Sequence, residues 1–197
     1  GYGGTLRMLA QMGCQPKGID ISKVCVDEAR RANEKAGLAE RIDVVVGDFH
    51  DIPSEAARWD GVICQDSLIH SMARPWVFAE VYRVLRPGGV FAFSDILTAK
   101  GADLDLVNQA FERLGVKAGQ TPHDYRDMAV AAGFEVTHAE ERLDDIRTHY
   151  DKLAEELARS KAGLAPEAAE KIAASIARWQ TALHGGHITW ACFIARK

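Results

Sequence analysis

The chain has 197 residues, 47% hydrophobic and 26% charged, the makeup of one globular domain with room for a substantial core. Its formal net charge is −4 and no run of Lys or Arg forms a basic stripe, which argues against a nucleic-acid surface; no apolar run approaches the roughly 18 residues of a membrane span. Cys14, Cys25, Cys64 and Cys192 lie far apart without a CxxC pair, so they read as buried free thiols in a reducing, cytoplasmic compartment and not as disulfides or a zinc site.

In chain order, Gly1, Gly3 and Gly4 stand directly before a helical pattern carried by Leu6, Leu9 and Ala10. Glycines there free the backbone for positive φ and let a ligand approach closely, which suggests a nucleotide-type ligand; alone, the stretch fits a flexible terminus equally well. A strand follows from Pro16 to Asp20, then Ser22 as an N-cap and an amphipathic helix from Val24 to Gly37. Apolar strands are expected from Ile42 to Asp48 and from Trp59 to Asp66, then a helix from about Pro75 to Leu85, a turn at Pro87-Gly88-Gly89 and a strand from Val90 to Asp95. Nearly continuous apolar strands alternating with helices predict a Rossmann-like, doubly wound α/β fold with a mostly parallel sheet.

Two more helices, Asp103 to Gly115 and Pro122 to Gly133, precede a strand from Phe134 to Leu143. Helical stretches from Asp145 to Lys161 and from Pro166 to Leu183 separate it from a closing strand, HITWACFIARK. Two late strands so divided predict an antiparallel edge with a helical insertion. The expected organisation is a core over residues 1–143, a cap over 144–184 and a last core strand over 185–197.

Ligands of open α/β sheets bind at the carboxyl ends of the strands. Asp20 ends one strand, at the spacing after the glycines where an acid accepts bonds from ribose hydroxyls; Asp48 ends the next, and Gln65-Asp66 a third. Any one of these acids is commonly a solvated loop residue. Three in order after a glycine turn point to a nucleotide-type cofactor.

GYGG, GIDIS, VVGDF, DGVICQDSLIH and VLRPGGVFAFSD together resemble the class I S-adenosylmethionine (SAM) methyltransferases. The resemblance implies SAM as cofactor, with Gly1, Gly3, Asp20, Ile21, Asp48, Phe49 and Gln65 binding it: the acid after the second strand on ribose, the Asp-Phe pair on adenine. It implies that Gly1 is the second glycine of that family's motif and that a central first strand lies upstream of this sequence. A narrower likeness, near end to end and including the helical insertion, is to the sarcosine/dimethylglycine N-methyltransferases that make glycine betaine.

Methyl transfer to an amine is an in-line displacement that needs alignment and a deprotonated nitrogen. His70, four residues after Asp66, is suited to handle that proton, and the related phosphoethanolamine enzymes imply catalytic and substrate-binding roles for Asp66 and His70; a structural histidine is the competing reading. For an acceptor carboxylate, Arg74, Arg113, Arg126 and Arg147 are candidates, with Arg126 put forward; for a methylated ammonium, Tyr125, Tyr150, Trp179 and Trp190, with Tyr125 and Tyr150 preferred and core packing expected of both tryptophans. The implied partner is a small-molecule amine. An O- or C-methyltransferase of a small metabolite and an inactive SAM-binding protein stay open, as does the oligomeric state.

Overall fold

A computed structural model describes residues 1–117, 119–160 and 163–197. Helix α1 (Gly4–Gln11) starts at Gly3, whose φ of 72° is left-handed; a Cβ at Gly3 would lie 3.2 Å from the Ala29 Cβ, so both the turn and the packing behind it require glycine. Strand β1 (Lys17–Asp20) leads to α2 (Lys23–Lys35), where the Ser22 side chain accepts from the Cys25 N–H as an N-cap. Then come β2 (Asp43–Val46), β3 (Trp59–Gln65), a single 3-10 turn over Leu68–His70, α3 (Arg74–Val84) and β4 (Leu85–Thr98). The predicted turn at Pro87-Gly88-Gly89 interrupts β4: Leu85 pairs with Trp59, and regular pairing resumes at Val90 with Gly61.

The second half holds α4 (Leu104–Phe111), α5 (Pro122–Ala131), β5 (Glu135–Glu141), α6 (Leu143–Ser160), α7 (Pro166–His184) and β6 (Ile188–Arg196). Asp103 caps α4 through the N–H groups of Asp105 and Leu106, and Thr121 with Asp124 forms a capping box on α5. Lys161, the expected last residue of the first insertion helix, lies outside the described residues.

Strands β1 and β2 pair in parallel, while the remaining four form a sheet of order β3-β4-β6-β5. Only β3 and β4 are parallel there; β6 runs antiparallel to both β4 and β5. The two late strands thus form the expected antiparallel edge, with β5 outermost and β6, whose apolar run from Ile188 to Ala195 has a neighbour on each side, one in from it. Among the described residues the two sheets share no strand pairing, and β1 and β3 line one cleft of about 1050 Å³ with Gly1, Gly3 and Thr5 at its rim.

Three cores follow from this layout. Phe78, Phe91, Phe93, Tyr125, Phe134 and Phe193 pack between the four-stranded sheet and α3 and α5. On its other face, Ile69, Val107, Phe111, Tyr150, Trp179 and Ile188 pack beneath α4, α6 and α7. Ala10, Val26, Ala29 and Val44 join α1 and α2 to the small sheet. The four cysteines are free, but Cys14 is exposed and the others only half-buried, so the expected burial does not hold. No helix of the described residues is long and apolar enough to cross a membrane.

Candidate active site

The carboxyl ends of the strands gather the residues that the sequence singles out. The Gly1 amine donates to the Asp20 carboxylate, Thr5 Oγ1 donates to Gln65 Oε1, and the Gly47 N–H donates to the Asp20 carbonyl, so the ends of β1, β2 and β3 meet the start of α1. The Ser22 N–H also donates to the Asp20 carboxylate, at 2.8 Å, so Asp20 stands as an acceptor at the end of β1. At this rim Tyr2, and Ile21 next to Asp20, expose large apolar surfaces, suited to a flat, partly apolar ligand.

Asp48 is tied to His50. Its carboxylate accepts from the His50 N–H and holds His50 Nδ1 at 2.7 Å, and His50 Nε2 lies 2.7 Å from Ser71 Oγ. Bonding to the His50 backbone first and its ring second holds the Asp48 carboxyl below the usual range. This histidine couples the Asp48-Phe49 loop to the turn that carries His70. Sequence reasoning missed it: no periodicity marks a residue in a loop, and its only signal is adjacency to Asp48-Phe49.

Asp66 is one of two non-glycine residues at positive φ among the described residues, 51°, a conformation aspartate tolerates better than most residues. Its N–H donates to the Ser94 carbonyl, and its Oδ1 accepts from Ser94 Oγ at 2.9 Å and from Trp190 Nε1 at 2.7 Å. Trp190, packed partly against the core, is thus also the donor that orients Asp66. The His70 imidazole is exposed and makes no hydrogen bond among the described residues. Because Leu68–His70 is one 3-10 turn followed by extended Ser71, the helical four-residue relation expected between Asp66 and His70 does not exist. No hydrogen bond joins them.

The remaining candidates divide by sheet face. Tyr150 is buried and stacked on Trp179 at 4.7 Å, on the side of Trp190. Burial pushes its phenol up to about 12; the Arg113 side chain, hydrogen-bonded to it, pulls the other way, and the Asp66 carboxylate pushes it further up. Arg113, Tyr150 and Asp66 therefore share one environment. Tyr125 does not line it: the side chain is fully enclosed on the opposite face, under α3 and α5, and its neighbour Arg126 is exposed on α5. Both therefore lie on the face of the sheet that α3 and α5 cover, away from Tyr150 and Trp190. Arg147 is occupied in the cap, donating to the Leu183 carbonyl and pairing with Asp144, and Arg74 is engaged inward with Tyr125.

Residues 1–93 match a family model described as a methyltransferase domain. The sarcosine/dimethylglycine N-methyltransferase of Halorhodospira halochloris is 31% identical over 202 aligned residues that cover all of this chain and 72% of that protein. The chain belongs to the SAM-dependent methyltransferases. A crystal structure of a proposed sarcosine dimethylglycine methyltransferase from Galdieria sulphuraria superposes with a TM-score of 0.94 at 29% identity, covering all of this chain and 75% of that one. A phosphoethanolamine N-methyltransferase 2 of Haemonchus contortus, solved with phosphomonomethylethanolamine and S-adenosylhomocysteine, shares the fold at a TM-score of 0.90 and 20% identity, covering all of this chain and 47% of that one. For a methyltransferase, the left-handed glycine turn at Gly3, the Asp20 acceptor and the apolar rim fit the sugar and base of SAM.

Proposed function

We propose that this methyltransferase N-methylates a small zwitterionic amine, sarcosine or dimethylglycine, in the cytoplasm and towards glycine betaine. The observation that carries the reading is the nearness of opposite charges: Asp66, turned and held by Ser94 and Trp190, and the Arg113 guanidinium both act on the Tyr150 phenol. An amino acid carries an ammonium for the first and a carboxylate for the second. The end-to-end likeness to enzymes of that name supports the same substrate class.

SAM supplies an electrophilic methyl group when bound. Gly1, Gly3, Asp20, Ile21, Asp48, Phe49 and Gln65 are the residues assigned to hold it, Asp20 accepting from sugar hydroxyls. Asp66 draws the acceptor in through the positive charge of its ammonium. His70 accepts the ammonium proton at its imidazole, leaving the nitrogen lone pair available for an in-line approach. Residues 144–184 act as the cap that keeps water from the acceptor.

The test is a labelled-methyl assay with SAM against glycine, sarcosine, dimethylglycine and phosphoethanolamine. Transfer to sarcosine or dimethylglycine is expected, with lower activity in Arg113→Ala through a raised acceptor KM. Transfer to phosphoethanolamine alone, or to none of the four, overturns the reading.

A further inference from the structure

Asp95 is a fully buried carboxylate that the reaction above does not use. It follows Ser94 on β4, and because successive strand residues face opposite sides, the two address opposite faces of the sheet. Ser94 Oγ bonds Asp66 directly. Asp95 Oδ1 accepts the Ile96 N–H at 3.0 Å, and Oδ2 accepts the Tyr125 hydroxyl at 2.6 Å. The Tyr125 oxygen accepts in turn from Arg74 Nε at 3.0 Å, and Arg74 Nη2 donates to the Ile69 carbonyl at 2.8 Å. Ile69 is the residue before His70, inside the same 3-10 turn.

Arg74 opens α3, where a cation opposes the helix dipole. Its guanidinium is half-buried and turned to Tyr125 and the Ile69 carbonyl, so the charge is placed there for those partners and not for the helix. We propose that Asp95, acting through Tyr125 and Arg74, is a positioning residue that holds the His70 turn in register with Asp66. Two consecutive residues of one strand then set the two groups assigned to the acceptor, Ser94 directly and Asp95 through two side chains. The Arg74 guanidinium makes its bonds to Tyr125 and the Ile69 carbonyl charge-assisted, which gives that end of the chain a stiffness that neutral partners lack.

The inference rests on His70 acting in proton transfer, and a double-mutant cycle separates the two. Tyr125→Phe keeps the ring against Phe78 and Phe193 while removing both hydroxyl bonds. It is expected to lower kcat about 10- to 100-fold, the scale of a misplaced group, with SAM affinity by calorimetry unchanged. In a His70→Ala background the same change should cost nothing further. If Tyr125→Phe does not fold, Arg74→Lys carries the same cycle, since it leaves the Tyr125–Asp95 bond in place. Equal losses in both backgrounds, or a lowered unfolding midpoint with wild-type kcat, overturn the proposal. A His70→Ala variant of wild-type activity instead overturns the role of His70 itself.

Discussion

At the scale of single residues, titration behaviour follows from what each group faces. Burial pushes the Asp95 carboxyl up to about 7, the Tyr125 hydroxyl and Ile96 N–H pull it down, nearby Asp66 raises it and Arg74 lowers it, while Cys64 on β3 faces the same carboxyl. An unfolded aspartate loses its proton near pH 4. Between about pH 4 and 7 the native state thus keeps a proton that the unfolded state has lost, and stability falls as pH rises through that window. The effect amounts to a few kcal/mol at most. Asp95→Asn, which still accepts from Tyr125, removes this loss, so the variant should gain on the wild type in urea unfolding between pH 5 and pH 8. A constant difference between the two would show that Asp95 does not titrate there.

At the scale of elements, the helical insertion is more than a lid. α6 and α7 bury Ile146, Tyr150, Ile176 and Trp179 against α4 and the sheet, so they complete a core. Trp179, 1% exposed and flanked by Tyr150 and Phe111, should cost about 3–5 kcal/mol on change to Ala, read from denaturant midpoints; a loss under 1 kcal/mol would mean the cap is not packed as described. Element types were legible in the sequence because each has its own period: β6 and α7 begin and end within a few residues of where alternation and the 3.6-residue pattern put them. Gly3 was legible because only glycine suits its turn. The placement of Trp190 against Asp66, the coupling of Asp48 to Ser71 through His50, and the enclosure of Tyr125 were not, since all three depend on contacts between distant segments that no local pattern encodes.

At the scale of the whole molecule, the sheet is divided where β1 and β3 border the same cleft, and neither edge is paired there among the described residues. Open edges accept a strand readily. A longer chain that threads a strand into the cleft should slow amide exchange at Lys17–Asp20 and Trp59–Gln65 and tighten SAM binding, because Gly1, Asp20 and Gln65 stand at the ends of those edges; unchanged exchange would mean that the cleft stays open. If the rim at these strand ends methylates an amine with His70 taking the proton, methyl transfer from SAM to dimethylglycine, followed against pH in wild type and His70→Ala, reads that step. The wild-type rate is expected to rise with pH, and the variant's to be lower by about 10²- to 10⁴-fold with that ionisation missing. The same rising limb at near wild-type rate in His70→Ala would contradict it.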